Sequence, residues 1–213
     1  MDEQQQSLET LQDIKRMMER SSRFISLSGL SGVSAGICAL GGAWVASNRI
    51  NCWVNGHCEL GRLMDEGGRP LLNQLFWIAA ITFAAAFTSA FIFTYIRTRK
   101  HGMPLWGRAS MRLMWNTVLP LIAGGIFLIR MLELEQYDLV APGCLIFYGL
   151  ALVNASKYTL GEVRYLGYVQ ILLGIISLWY YGYGLQFWAL GFGVMHIIYG
   201  IAMWWKYERV NKN

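Results

Sequence analysis

Residues 24–47 read FISLSGLSGVSAGICALGGAWVAS, a run without one charged side chain. At about 1.5 Å of rise per residue, a helix of that length crosses the roughly 30 Å hydrocarbon core of a bilayer. A secretory signal is the rival reading, but its apolar core runs about 7 to 15 residues behind a short basic segment. Here the apolar run is longer and follows a polar stretch holding Asp2, Glu3, Glu9, Asp13 and Glu19, so an uncleaved anchor is expected. Within it Ser28, Gly32 and Gly36 recur at every fourth position, with Gly29, Ser31, Ala35 and Ala39 close by. Lipid supplies no hydrophobic drive between helices, so association depends on small residues that let two backbones approach. This face is expected against another helix, in the same chain or in a second copy.

Working outward, five more apolar stretches follow at 72–96, 111–131, 139–156, 165–181 and 185–205. The expected fold class is therefore all-α, a polytopic integral membrane protein with six transmembrane helices. The fourth and fifth stretches are short, which calls for local thinning or shielding by neighbours. The composition agrees: 55% of the residues are hydrophobic and 15% are charged, against about 25% charged in soluble domains. The 18 Lys and Arg residues divide between the loops as 14 on one side and 4 on the other, the minority being Arg49, Arg62, Arg69 and Arg130. Short cytoplasmic loops retain positive charge, so both termini are expected in the cytoplasm. The acids sharpen the split, leaving +7 inside and −2 outside. A pI near 9.1 thus records orientation and gives no sign of the clustered basic face that nucleic acid requires.

The organisation read from this is a cytoplasmic tail over 1–23, a six-helix domain over 24–205 and a second cytoplasmic tail over 206–213. In the first tail Leu8, Leu11, Ile14 and Met18 recur at helical spacing among polar residues, the pattern of an amphipathic helix. Such a helix lies on the membrane or under its own bundle, or residues 8–18 dock a cytoplasmic protein. Gly193 and Gly200 stand one heptad apart on the sixth stretch and form another small-residue face, leaving a homo-oligomer open. Pro120 and Pro142 are candidate kinks. Tyr148-Gly149-Leu150-Ala151 is echoed by Tyr199-Gly200-Ile201-Ala202, each followed by a Lys-Tyr pair, so the two last hairpins could be a parallel repeat. The Trp and Tyr residues gather at span ends, where amphipathic rings settle at the headgroups.

Residues able to carry chemistry are few. Cys52 and Cys58 flank Gly56 and His57 in the first outer loop, facing the oxidising side, and read as a small disulfide-closed loop; a metal site with His57 and free thiols are the alternatives. Cys38 and Cys144 lie within spans as small packing residues. His196 is the one titratable side chain near the middle of a span, and an intramembrane ionisable group is a functional candidate by default. With Gln170, Asn154 and Asn116 it makes up the polar groups available at depth, enough to tie helices together or to line a narrow uncharged path. No Asp or Glu falls inside a span, which argues against proton- or cation-coupled carriers. No phosphate-binding glycine loop is present either. Heme would need a second axial ligand at the depth of His196, and only a Met such as Met195 or Met203, or one from another span, could supply it. No cofactor and no metal are expected. Gly29-Leu30-Ser31-Gly32 together with His196 resembles the Gly-x-Ser-Gly and last-helix His of rhomboid proteases; the Ser belongs to a different helix there, and the oxyanion partners have no counterpart here.

Five stretches carry a wider resemblance: Met18-Glu19-Arg20-Ser21-Ser22-Arg23-Phe24-Ile25-Ser26-Leu27-Ser28-Gly29, Phe147-Tyr148-Gly149, Asn154-Ala155-Ser156-Lys157-Tyr158-Thr159-Leu160, Arg164-Tyr165-Leu166-Gly167-Tyr168, and Phe187-Trp188-Ala189-Leu190-Gly191-Phe192-Gly193. Together they resemble uncharacterised small inner-membrane proteins of Bacteroidota. That resemblance implies a bacterial inner-membrane location and brings no known activity. The expectation is then a non-catalytic membrane protein in a regulatory, scaffolding or envelope-homeostasis role. Two alternatives are a passive channel or carrier for a small neutral or amphipathic solute, lined by His196, Gln170 and Asn154, and an intramembrane enzyme using Ser31 or His196.

Overall fold

The structure is a computed structural model that describes residues 28–55, 70–100 and 107–209. The amphipathic tail with residues 8–18, the segment holding His57 and Cys58, and residues 210–213 lie outside them. The described chain is helical throughout, with no strand among the described residues. The helices are α1 (Gly29–Val54), α2 (Pro70–Lys100), α3 (Arg108–Glu133), α4 (Val140–Ala155) and α5 (Val163–Ser177). The last rod, α6, joins Gly184–Trp188 and His196–Trp204 through a π-helical stretch at Ala189–Met195, and a second π turn follows at Trp205–Arg209.

Five helical stretches are long and apolar enough to cross a membrane: Gly29–Val54, Leu71–Arg99, Ser110–Glu133, Tyr137–Ala155 and Gly184–Tyr207. The expected fifth span differs. Its helix has 15 residues, about 22 Å at 1.5 Å per residue, short of a hydrocarbon core of roughly 30 Å. Residues 178–181, read as helix from their apolar run, form turns. The helix stops because the chain must reverse into α6 within a few residues, through Gly182 at φ +81°, a left-handed conformation that costs glycine nothing. At the other hairpin the reversal after α3 uses Glu135 at φ 59°. There the Gln136 and Glu135 N–H groups return to the Met131 and Leu132 carbonyls, a Schellman closure that satisfies the last turn.

The prolines fall differently from one another. Pro120 is inside α3, whereas Pro142 stands in the first turn of α4, where the missing N–H had no intrahelical partner to lose. Pro142 is therefore compatible with a regular helix start.

Packing follows the glycines. α1 lies against both α2 and α6, and α4 lies between α3 and α5. A Cβ on Gly200 would stand 2.6 Å from both the Gly29 carbonyl oxygen and the Val33 nitrogen, and one on Gly36 would stand 2.7 Å from the Gly193 carbonyl. A Cβ on Gly32 would come within 3.2 Å of the Gly200 Cα. The two helices are antiparallel, with backbones in direct contact over about two turns. α4 and α5 repeat the device: a Cβ on Gly149 would meet the Gly167 carbonyl at 2.7 Å, and one on Gly167 would meet the Gly149 carbonyl at 2.8 Å. These pairings bring the start of α1, the end of α4, the start of α5 and the end of α6 to one end of the bundle. That end carries Lys157, Arg164 and Lys206 and is called the basic end below.

Candidate intramembrane polar site

Gln170 on α5 is completely buried, 0% exposed, and His196 on α6 is 7% exposed. Both are drawn to one backbone atom: Gln170 Nε2 donates to the Gly191 carbonyl at 2.8 Å, and His196 Nδ1 lies 3.0 Å from the same oxygen. A carbonyl only accepts, so Nδ1 carries the proton and Nε2 is left as an acceptor. Tyr148 on α4 supplies the matching donor, its hydroxyl 2.8 Å from Nε2. The 3.5 Å approach of Gln170 Nε2 to Nδ1 then brings two donors together and is a packing contact. The result is a knot of three helices: the Tyr148 O–H donates to His196, and the His196 N–H and the Gln170 N–H share Gly191.

Local sequence explains why the knot forms there. Gly191 has no side chain to hold Gln170 away; a Cβ at that position would be 2.5 Å from Gln170 Oε1 and would also collide with Leu145. Gly191 and Gly193 fall within the π-helical stretch of α6, and such widened turns recur at functional sites. Aromatic rings close the side facing α4, with Phe192 packed 4.9 Å from Tyr148 and 5.9 Å from His196, centroid to centroid.

The four polar residues singled out from the sequence divide into two pairs. His196 and Gln170 meet in the knot. Asn154 and Asn116 meet elsewhere, where Asn154 Nδ2 donates to the Asn116 carbonyl at 2.8 Å and α4 is tied to α3. Asn154 is six residues along α4 from Tyr148, about 9 Å nearer the basic end. Asn116 spends its own amide on the Arg112 carbonyl. Tyr148 and Gly191 were not singled out as site residues. The available signal was a tyrosine in mid-span, away from the ends where belt residues belong.

Other candidates fall as follows. Ser31 is buried and donates to the Ser28 carbonyl at 2.5 Å, while both His196 nitrogens are taken by Tyr148 and Gly191, so the Ser31–His196 contact needed for a nucleophile and its base is not made. Cys38 and Cys144 are free thiols. The Cys52–Cys58 pairing involves a residue outside the described set. Among the described residues no three metal-ligating side chains converge.

A second polar cluster closes the basic end. Glu162, in the turn between α4 and α5, accepts from Lys206 Nζ at 2.6 Å and from the Tyr207 hydroxyl at 2.7 Å. Burial alone would raise the Glu162 carboxyl, but the hydrogen bonds from Lys206 and Tyr207 outweigh it and hold the group below its ordinary value. A depressed carboxylate contributes stability that is present above its unfolded value and is lost as pH falls through the folded one. The ion pair is partly exposed, so the contribution is small, about 0.2–1 kcal/mol. Glu162→Gln is expected to lower thermal stability slightly at pH 7, and the difference from the parent should vanish on acidification below the carboxylate range. A difference that persists there in thermal melts would mean that the carboxylate charge is not what binds this end.

Compared with protein-family models, with curated proteins and with solved structures, the chain matches none of them.

Proposed function

We propose that this chain is a non-catalytic membrane protein of six spans with a regulatory or scaffolding role in the bacterial inner membrane, both termini in the cytoplasm. The observation that carries the reading is the knot itself. Each His196 nitrogen has a protein partner, so this buried imidazole is used to hold α4, α5 and α6 together. The loop charge split supports the orientation. Packing of α5 against α4 through Gly149 and Gly167 supports counting that short helix as a span shielded by its neighbours. In this reading the contact surfaces are the amphipathic stretch over residues 8–18, facing a cytoplasmic partner, and an outer loop closed by Cys52 and Cys58. The resemblance to inner-membrane proteins of Bacteroidota belongs to the same proposal.

A second reading is a passive channel or carrier for a small neutral or amphipathic solute. Proteoliposomes separate the two. Light-scattering traces for water, urea and glycerol are expected to overlay those of protein-free vesicles. Solute flux that disappears in both His196→Leu and Gln170→Leu would replace the first reading with the second.

A further inference from the structure

α2 carries a row of rings that the knot does not use. Phe83, Phe87, Phe91 and Tyr95 recur at every fourth position, their centroids 6.3, 6.5 and 6.4 Å apart and their planes within 20° of parallel. One step further along, the Arg99 guanidinium lies over the Tyr95 ring, 5.3 Å from its centroid. Residues four apart form a ridge inclined to the helix axis, so the rings make one continuous rib that ends in a cation. α2 packs on α1, and the rib stands away from that contact: Phe83, Phe87 and Phe91 are 70%, 65% and 54% exposed. Ala84 and Thr88, three residues before Phe87 and Phe91, are exposed as well. Being small, they leave a shallow track along one flank of the rib.

We propose that this rib is the binding site of an anionic phospholipid, whose acyl chain lies in the track beside the rings and whose phosphate is held by Arg99. Length supports it: Phe83 to Tyr95 spans about 18 Å at 1.5 Å per residue, close to the roughly 15 Å of hydrocarbon in one leaflet. The chemistry of the cap supports it too. Stacking on a ring orients a guanidinium while leaving its N–H donors in the plane, where they can grip a phosphate with two parallel hydrogen bonds. Arg97, Lys100 and Arg108 make the surrounding sequence basic and place it on the majority side of the loop charge split, which favours an anionic headgroup over a zwitterionic one. Of the other cations on that side, Lys206 is paired with Glu162 and Arg164 donates to the Tyr165 hydroxyl. The rival occupant is a second copy. Chains inserted the same way share one orientation, so a two-fold axis along the membrane normal would lay the ribs parallel and set Arg99 against Arg99 at one depth. Bulky rings would also hold the backbones apart, where helix association in lipid calls for small residues. The site goes beyond the scaffold reading and depends neither on the bacterial location nor on whether solutes cross.

The experiment is photo-crosslinking of the full chain in phosphatidylcholine nanodiscs carrying a trace of probe lipid. The probe is phosphatidylglycerol or phosphatidylcholine with the same diazirine-labelled acyl chain, and labelled peptides are mapped by mass spectrometry. Labelling of residues 83–95 by the phosphatidylglycerol probe is expected to exceed that by the phosphatidylcholine probe about threefold to fivefold. Arg99→Gln should abolish the preference without lowering the melting temperature, because Arg99 is exposed. Arg164→Gln, an equal loss of charge, should leave the preference intact. Equal labelling by the two probes in the parent protein would make the rib an ordinary lipid-facing surface and overturn the site. A preference that survives Arg99→Gln, or that falls as far in Arg164→Gln, overturns it as well. So does a rib that neither probe labels, the result expected if a second copy covers it.

Discussion

Gly200→Leu is expected to separate α1 from α6 and to lower the melting temperature of the purified protein by roughly 6–12 °C, taking about 3 kcal/mol at 2–4 °C per kcal/mol. The first atom of any side chain at Gly200 would stand 2.6 Å from the Gly29 carbonyl oxygen and from the Val33 nitrogen. Both obstacles are backbone atoms, which cannot rotate aside as a flexible side chain would. Overpacking typically costs about 1–3 kcal/mol, and the large side chain at a backbone contact falls at the top of that range. In lipid the loss is not recovered elsewhere, because close packing is the main force between helices. Gly41→Leu and Gly125→Leu are the internal controls, since a Cβ at either glycine meets nothing within 4 Å. They are expected to melt with the parent or slightly above it, because glycine is the poorer helix former by about 0.5–1 kcal/mol. If all three variants melted alike, the α1–α6 contact would not be what holds the bundle.

His196→Leu is expected to cost about 1–3 kcal/mol, the penalty for leaving a buried partner unsatisfied, because it strips the Tyr148 hydroxyl of its acceptor and the Gly191 carbonyl of one donor. Tyr148→Phe removes only one hydrogen bond, and in membrane proteins such bonds average about 0.6 kcal/mol with a maximum near 1.7. Since the two residues share that bond, the double variant should fall short of the sum by about 0.5–2 kcal/mol. Unfolding in mixed micelles, measured for both single variants and the double variant, gives that coupling directly. Strictly additive losses would mean that the knot is a coincidence of packing.

These two expectations differ in how far they could be read from the chain. The glycine spacing at Ser28, Gly32 and Gly36, and at Gly193 and Gly200, was visible because small residues every fourth or seventh position leave a periodic trace. The trace does not name a partner, and only the three-dimensional arrangement pairs these two faces with each other. The α4–α5 contact rests on Gly149 from α4 and on Gly167 and Gly174 from α5, and the seven-residue spacing of the latter two is a trace of the same kind that likewise names no partner. His196 and Gln170 stood out as polar residues in apolar runs. Tyr148 did not, because tyrosine also serves at membrane boundaries and its depth depends on where α4 starts. The end of α5 is not legible for a related reason: residues 178–181 are as apolar as a span, but hydropathy does not register that the chain turns there.

What the sequence determined by itself is the material: long uncharged runs that must be helical in lipid, because every backbone N–H and C=O has to be paired within its own segment. It also determined the asymmetry of charge between loops. Partner choice was decided only by the tertiary structure. Hydrogen bonds inside a helix depend on neighbours four residues apart, whereas the meeting of Tyr148, Gln170, Gly191 and His196 depends on three helices lying at one depth and one rotation. That geometry comes from glycine contacts between residues up to about 170 positions apart, and no local pattern in the chain encodes it.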